Sequence, residues 1–255
     1  SRGLVGSEMC IRDSLYAIRS RHHYATTGCR LNLDVTSNGL AGTSMMGDIV
    51  PTAEETVPLR VDMEALAGIE SVEVRNGEDV VETVRGYGPE QLGNRIRITW
   101  AGAEYRGRGR NTLWCGVIDV DGAAILSATP INRWNPERLF EQRGSSQLAF
   151  ESVTTGNFAG VDLRLNSADA TIKVKTNHGD IEIRAADLLV EPHTRDCGGL
   201  DRQLTIRRLP DNDLPSTLAF ERSVALRAQG DSPIWVSVTM EDGHKAWSSP
   251  IYFVR

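Results

Sequence analysis

The sequence predicts an all-β fold, an antiparallel β-sandwich-like architecture with one short helix end at its N-terminus. Alternation of apolar and polar residues, which is typical of half-buried strands, recurs with turn signals about every 8–12 residues. Turn dipeptides that favour positive φ, Asn76-Gly77 above all, separate the alternating segments. No segment after residue 21 has the periodicity of a long amphipathic helix.

The elements follow in order along the chain. A helix end is predicted over Leu15–Arg21, because the cations Arg19 and Arg21 suit the negative end of a helix dipole. Hairpin turns are predicted at 76–77, 121–122, 177–180 and 241–245, and a short helical turn at Pro136–Phe140. The predicted strands are 30–35, 59–63, 69–75, 79–84, 95–100, 112–120, 123–128, 161–165, 171–176, 181–184, 204–209, 218–226, 234–240 and 246–253.

Three regions are predicted along the chain. Residues 51–255 form the β-sandwich region, as two sheets or subdomains divided near 130–145, where Pro, Asn and Arg are concentrated. Residues 15–50 hold the helix end and the first strand. Residues 1–14 are expected to be non-native, because 4–14 (LVGSEMCIRDS) resembles the translated end of a sequencing adapter, as found in reading frames from raw metagenomic assemblies. On this interpretation the natural N-terminus and any signal peptide are missing, and Cys10 does not count among the native cysteines.

Composition excludes several classes of protein. Hydrophobic residues make up 40% of the chain, enough for a folded core, and the net charge is −6 with both signs mixed along the chain. A nucleic-acid surface needs a clustered basic footprint, so no nucleic-acid partner is predicted. No apolar run approaches the roughly 18 residues of a membrane span, so a soluble protein without a membrane partner is predicted. Its localisation stays open, since the bacterial periplasm and cytoplasm both fit.

The candidate binding residues are Arg106, Arg108 and Arg110, which alternate with glycine in one short segment. Three guanidiniums on a Gly-rich loop can grip a phosphate or carboxylate, so these arginines are predicted to bind substrate. The alternative is a solvated connection between Trp100 and Trp114, because charge runs are usually solvated faces.

Other polar clusters are weaker candidates. Residues 191–197 hold four metal-type side chains, but the His193-x-x-x-Cys197 spacing fits no complete zinc site. The pair His22-His23 is expected to act as helix C-terminal cations rather than as metal ligands. We therefore predict no catalytic residue, no metal ligand and no cofactor within this chain.

The C-terminal segment is predicted to close the sandwich as a hairpin. Ile234, Val236, Val238 and Met240 share one face of its first strand, and Trp247, Ile251 and Phe253 are expected to bury beside them. Pro250 indicates an edge position or a bulge, because proline cannot donate to a ladder. An aromatic platform for sugar binding is the alternative use of these rings.

Several blocks of this sequence resemble a domain-of-unknown-function family in the PHP (polymerase and histidinol phosphatase) superfamily of metallohydrolases. The most specific are Tyr24-Ala-Thr-Thr-Gly28 and Ala246-Trp-Ser-Ser-Pro-Ile-Tyr252. The loop at 106–110 and Thr154-Thr-Gly-Asn157 resemble further family blocks, and the resemblance covers about residues 15–255. Cys29 departs from the small residue or proline usual in the family.

The resemblance implies that the chain is the non-catalytic C-terminal β region of a truncated, PHP-like, metal-dependent hydrolase. The helix end would then be left over from a β/α catalytic domain, which is the implied partner and holds the metal ligands upstream of residue 15. The parent would be a phosphoesterase that uses zinc or manganese to activate water. Whether the chain itself is an enzyme stays open, and the alternative is an independent carbohydrate- or partner-binding sandwich.

Overall fold

The computed structural model describes residues 4–40 and 42–255, with side chains from residue 11 onward. The chain is 57% strand and 6% helix, with antiparallel sheets, which confirms the predicted all-β fold. Its short N-terminal helix, α1, spans Leu4–Arg19, so it begins earlier than predicted and includes the whole adapter-like segment 4–14. No helix among the described residues is both long and apolar enough to cross a membrane.

In the described part of the chain, twenty-one strands follow the helix. They are β1 (Tyr24–Thr26), β2 (Leu31–Gly39), β3 (Gly42–Met45), β4 (Ile49–Pro51), β5 (Thr56–Ala65), β6 (Ile69–Asn76), β7 (Asp79–Val84), β8 (Arg95–Ala103), β9 (Thr112–Asp121), β10 (Ile125–Ile131), β11 (Phe140–Arg143), β12 (Gln147–Thr154), β13 (Phe158–Leu165), β14 (Thr171–Thr176), β15 (Asp180–Arg184), β16 (His193–Asp196), β17 (Leu200–Leu209), β18 (Thr217–Ala225), β19 (Ser232–Met240), β20 (Lys245–Ser248) and β21 (Ile251–Val254). Two single turns of 3-10 helix lie at Pro89–Gln91 and Ala185–Asp187.

The strands divide between two compact units. The host unit comprises Ser1–Gly86 and Asp213–Arg255, and the inserted unit is Tyr87–Asn212. The stretch 130–145, where the sequence predicts a division, lies within the inserted unit and runs from the end of β10 through β11, two strands that belong to different sheets. Residues 15–50 are part of the host unit, together with residues 51–86.

The host unit has a seven-stranded and a four-stranded sheet. The larger runs β1-β20-β19-β21-β4, with β6 and β7 added beside β19, and the smaller runs β18-β5-β2-β3. Every pairing is antiparallel except β21 with β4. Alternate residues of each strand face the shared core, as Leu59 and Val61 do from β5 and Val236 and Val238 from β19.

The inserted unit is a β-sandwich of two five-stranded antiparallel sheets. Their orders are β10-β13-β8-β17-β16 and β11-β12-β9-β14-β15. Ile96, Ile98 and Trp100 project from β8 into the core and meet residues of the other sheet. Trp100 stacks on Phe150, with ring centroids 4.0 Å apart. The register pairs Arg95 at the start of β8 with Leu209 at the end of β17, so the chain enters and leaves this sheet on adjacent strands.

A buried ion cluster lies on the same sheet of the inserted unit. Asp162 on β13 accepts hydrogen bonds from Arg97 Nε (2.7 Å) and Arg95 Nη2 (2.6 Å) on β8. A second bond joins Arg97 Nη2 to the other carboxylate oxygen (2.7 Å). Burial raises the pKa of Asp162, but the hydrogen bonds and charges of Arg97 and Arg95 outweigh that effect, and the pKa falls below its ordinary range.

Three of the four predicted hairpins are confirmed. Gly77 and Glu78 join β6 to β7, one residue later than the predicted Asn76-Gly77 pair, because Asn76 itself pairs with Asp79. Residues 177–179 join β14 to β15, and Asp242-Gly243 lies between β19 and β20. Gly77 and Gly243 have φ of 64° and 83°, the conformation for which glycine is selected at these turns. The fourth is wrong, because the turn at Asp121-Gly122 leads from β9 in one sheet to β10 in the other.

The C-terminal segment forms the predicted hairpin, but one of its core faces was assigned wrongly. Ser237 pairs with Trp247 and Ile234 with Ile251, so four steps along the returning chain match three on β19. The extra residue is a bulge next to Pro250, and it reverses the alternation of the side chains. Ile251 and Phe253 are therefore buried, as predicted. On β20, however, Ala246 faces the core and Trp247, which was expected there, is only half-buried.

The predicted helical turn at Pro136–Phe140 is a single hydrogen-bonded turn instead. Arg138 N–H donates to Asn135 O at 3.3 Å, and the chain then enters β11 at Phe140. Arg133 orders this segment, since its Nη2 donates to the carbonyls of Pro136 (2.7 Å) and Arg138 (2.9 Å).

Candidate functional site

The predicted arginines lie on residues 104–111, here called the arginine loop, which connects β8 to β9. The strand register shows which other segments share its end of the inserted sandwich. Ala101 pairs with Phe158 and Thr112 with Thr154, so the turn 155–157 lies beside the loop. Leu200 pairs with Ala103, which places the turn 197–202 there too. This part of the unit, called the arginine-loop end, is opposite the end where the chain enters β8.

The arginine loop is exposed and braced internally. All residues from 104 to 111 are exposed, and Gly107 and Gly109 have φ of 110° and 76°. The Tyr105 hydroxyl donates to the Gly109 carbonyl at 2.9 Å, across the segment that carries Arg106 and Arg108. The two glycines therefore adopt backbone conformations that other residues rarely adopt, and the Tyr105–Gly109 hydrogen bond links the two sides of the loop.

The loop is anchored at its first residue. Glu104 forms an ion pair with Arg202, whose side chain is largely buried and also donates from Nε to the Cys197 carbonyl (2.9 Å). Gly198 and Gly199 both have positive φ in the same turn, which brings Arg202 back toward β8. The one acidic side chain of the loop is thus engaged by Arg202.

A buried hydrogen-bond chain supports the base of the loop. Trp114 Nε1 donates to Thr154 Oγ1 (3.0 Å), and this hydroxyl donates to the Gly102 carbonyl (2.6 Å). Gly102 has φ of 94°, and a Cβ placed on it would lie 2.3 Å from the Asp201 carbonyl oxygen. Only glycine fits there, so the end of β8 is held tightly against the 197–202 turn.

The three guanidiniums carry the positive charge of this end. Within residues 11–40 and 42–255, Arg106, Arg108 and Arg110 make no hydrogen bond or ion pair. The neighbouring carboxylate of Asp196 accepts the Gly198 N–H at 2.7 Å. The arrangement can bind an anion, because arginine offers paired donors that match carboxylate and phosphate oxygens.

An exposed tryptophan lies at the same end. Trp134 follows β10, and Asn132 Nδ2 donates to the Phe158 carbonyl (3.1 Å), which fixes this segment beside the start of β13. Trp134 is 74% exposed. No local signal in the sequence places Trp134 at the same end as the arginine loop, because that position depends on the order of the strands.

The other tryptophans do not extend this exposed surface. Trp100 and Trp114 are buried in the core of the inserted unit. In the host unit Trp235 and Trp247 are half-buried, and Trp235 Nε1 donates to the Gly77 carbonyl at 2.8 Å.

The metal-type residues at 191–197 do not converge. His193 and Cys197 are separated by a β-strand and its end, a spacing of about 13 Å along an extended chain. Among the described residues, no group of three or more His, Cys, Asp and Glu side chains could hold a metal ion.

Other candidate reactive groups are His22 and the thiols of Cys29, Cys115 and Cys197. His22 Nε2 contacts Asp48 Oδ1 at 2.8 Å. Burial alone would raise the pKa of Asp48, but the hydrogen bond from the Met45 N–H and the interaction with His22 have a larger effect, so the pKa is lowered. Burial raises the thiol pKa of Cys29, Cys115 and Cys197, so the reactive thiolate form is disfavoured.

Comparison with known proteins adds no relationship. No family model matches the chain, and neither the curated proteins nor the solved structures contain a match. Fold and site together define an all-β protein with an exposed cationic loop at one end of a β-sandwich.

Proposed function

We propose that this chain is the non-catalytic β region of a PHP-like, metal-dependent hydrolase, and that its arginine loop binds the anionic group of a phosphoester substrate. The observation that carries the proposal is the set of three exposed guanidiniums that have no partner among the side chains and backbone the structure describes. An arginine whose donors are free forms charge-assisted hydrogen bonds with phosphate oxygens without first breaking an ion pair.

The loop is also preorganised for this role. Tyr105 braces it internally and Arg202 holds its first residue, so less conformational entropy is lost when a ligand binds. The one loop carboxylate, Glu104, is paired and leaves the net charge of the free side chains positive.

Catalysis would belong to the upstream domain that the resemblance implies. Metal-dependent hydrolysis requires metal ligands, and the described residues form no group of three or more His, Cys, Asp and Glu side chains that could hold a metal ion. The exposed apolar side chains Leu15 and Ile18, three residues apart on α1, support a contact with such a domain. No catalytic step is assigned to this chain.

The test is anion binding by the full chain. Titration with inorganic phosphate and phenyl phosphate, followed by amide chemical shifts, should perturb residues 104–111 with weak affinity. The double variant Arg106→Gln/Arg110→Gln should lose these shifts. Its matched control is Arg143→Gln/Arg184→Gln, since both are exposed arginines of the inserted unit at the ends of β11 and β15. Equal binding by both variants would contradict the proposal.

A second assay tests the absence of catalysis. The chain should not hydrolyse a phosphoester panel with added manganese or zinc. Metal-dependent turnover that co-purifies with the chain and disappears in His193→Ala/Cys197→Ala would show that the chain is itself an enzyme.

The alternative function is an independent carbohydrate- or partner-binding module. The exposed Trp134 favours it, because a solvated indole is a common contact for sugars and protein partners. Binding of a neutral glycan that is lost in Trp134→Ala and unaffected by Arg106→Gln/Arg110→Gln would favour this alternative.

A further inference from the structure

We propose that the arginine-loop end of the inserted unit binds an anionic oligosaccharide, with a sugar ring on Trp134 and its acidic substituents on Arg106, Arg108 and Arg110. This inference rests on the anion-binding role proposed above for the arginine loop. It adds the class of ligand, a sugar chain that carries sulfate, phosphate or carboxylate groups.

The topology brings the two kinds of side chain to one edge. β8 leads into the arginine loop, and β10 leads toward Trp134, with β13 between them in the same sheet. Two strand spacings separate β8 from β10, a distance of about 10 Å. A short oligosaccharide is therefore long enough to span the two strand ends from which the arginine loop and the Trp134 segment begin.

Hydrogen bonds hold both the segment that carries Trp134 and the arginine loop in place. Asn132 has φ of 52° and its side chain bonds to Phe158, while Arg133 closes the segment beyond Trp134 through two carbonyls. The arginine loop is braced by Tyr105. Because both segments are ordered without ligand, binding does not require either of them to fold.

The chemistry of the site fits a sugar better than it fits other anions. The C–H groups on one side of a pyranose ring pack against the electron-rich face of an aromatic ring. Trp134 supplies such a ring at the rim, and the guanidiniums supply paired donors for acidic substituents. A small inorganic anion would use the arginines alone and leave Trp134 in solvent.

Single-stranded nucleic acid would also combine stacking with arginine contacts. It is disfavoured because the chain carries a net charge of −6, and nucleic-acid binding draws on an extended basic surface.

The experiment measures binding of the full chain by calorimetry to a sulfated oligosaccharide, an oligouronate, a neutral oligosaccharide of equal length and a single-stranded oligothymidylate. The first two should bind and distinguish sulfate from carboxylate, and the others should not. Arg106→Gln/Arg110→Gln should weaken binding by about tenfold or more. Trp134→Ala should weaken it by about fivefold but leave phenyl phosphate binding intact.

Matched variants control for folding and surface charge. Arg143→Gln/Arg184→Gln and Leu126→Ala, which removes another exposed apolar side chain of the inserted unit, should bind like the parent chain. If phosphate binds through the arginines but acidic sugars bind no better and Trp134→Ala changes nothing, this inference fails and the proposed function stands. If neither phosphate nor sugars bind, both fail, and tighter binding of the oligothymidylate overturns the sugar assignment.

Discussion

Replacing Asp162 with asparagine should destabilise the inserted unit more than any exposed charge substitution. The carboxylate is 13% exposed, and its partners Arg95 and Arg97 are 8% and 6% exposed. Removing one partner of a buried ion pair costs about 3–5 kcal/mol. Asparagine keeps one accepting oxygen, so we expect the lower end, about 3 kcal/mol.

The stability difference between the parent chain and Asp162→Asn should also depend on pH. The folded-state pKa of Asp162 lies below its ordinary value of 3.8, so its contribution is fully present above that value. The contribution is lost as pH falls through the folded-state pKa, because the carboxylate is then protonated. The stability difference between the parent chain and Asp162→Asn should therefore be constant near neutral pH and narrow below about pH 4.

Urea unfolding, followed by tryptophan fluorescence and by circular dichroism, measures both effects. The control is Glu141→Gln, which breaks the Arg143–Glu141 pair; its side chains are 49% and 56% exposed, and the expected cost is about 0–1 kcal/mol. Equal losses of unfolding free energy by both variants at pH 7 would refute this reasoning. A stability difference between the parent chain and Asp162→Asn that widened in acid would also refute it.

Three further predictions concern the cores and the loop. Trp114→Ala should cost about 3–5 kcal/mol in urea unfolding, and Trp247→Ala clearly less, because Trp114 is fully buried and Trp247 is not; the reverse order would contradict the assigned burial. Gly102→Ala should lower the melting temperature, since its Cβ would meet the Asp201 carbonyl; an unchanged midpoint would exclude that close approach. Limited trypsin digestion, read by mass spectrometry, should cut first within 104–111, where every residue is exposed; an earlier cut inside a strand would contradict the exposure.

The strand pattern and most turns could be predicted because both depend on neighbouring residues. Gly77 begins the β6–β7 turn at a φ of 64°, a conformation that glycine adopts whatever surrounds it, so this hairpin follows from local chemistry. Asp121-Gly122 has the same chemistry, but a turn dipeptide specifies a reversal and not the sheet to which the next strand belongs. β12 was missed because Leu148, Ala149 and Phe150 are consecutive and all buried, which hides the two-residue period.

The site was predictable only in part for the same reason. The spacing of Arg106, Arg108 and Arg110 identifies an exposed cationic loop directly. The placement of Trp134 at the same end of the sheet as that loop depends on β13 pairing with both β8 and β10, which is a long-range choice. The bulge near Pro250 likewise moved Trp247 out of the core by one residue of register, a shift that side-chain alternation alone does not reveal.

The way the inserted unit is joined to the chain has an evolutionary and practical consequence. In the host unit the chain leaves at Gly86 close to where it returns, since a Cβ on Gly86 would lie 2.3 Å from Pro215 Cγ. In the inserted unit Arg95 and Leu209 are paired neighbours. Neither crossing point falls inside a strand, because β7 ends at Val84 and β18 begins at Thr217. A single insertion or deletion in the coding sequence between residues 86 and 213 can therefore add or remove the whole inserted unit, with its arginine loop, while every host strand keeps its partners.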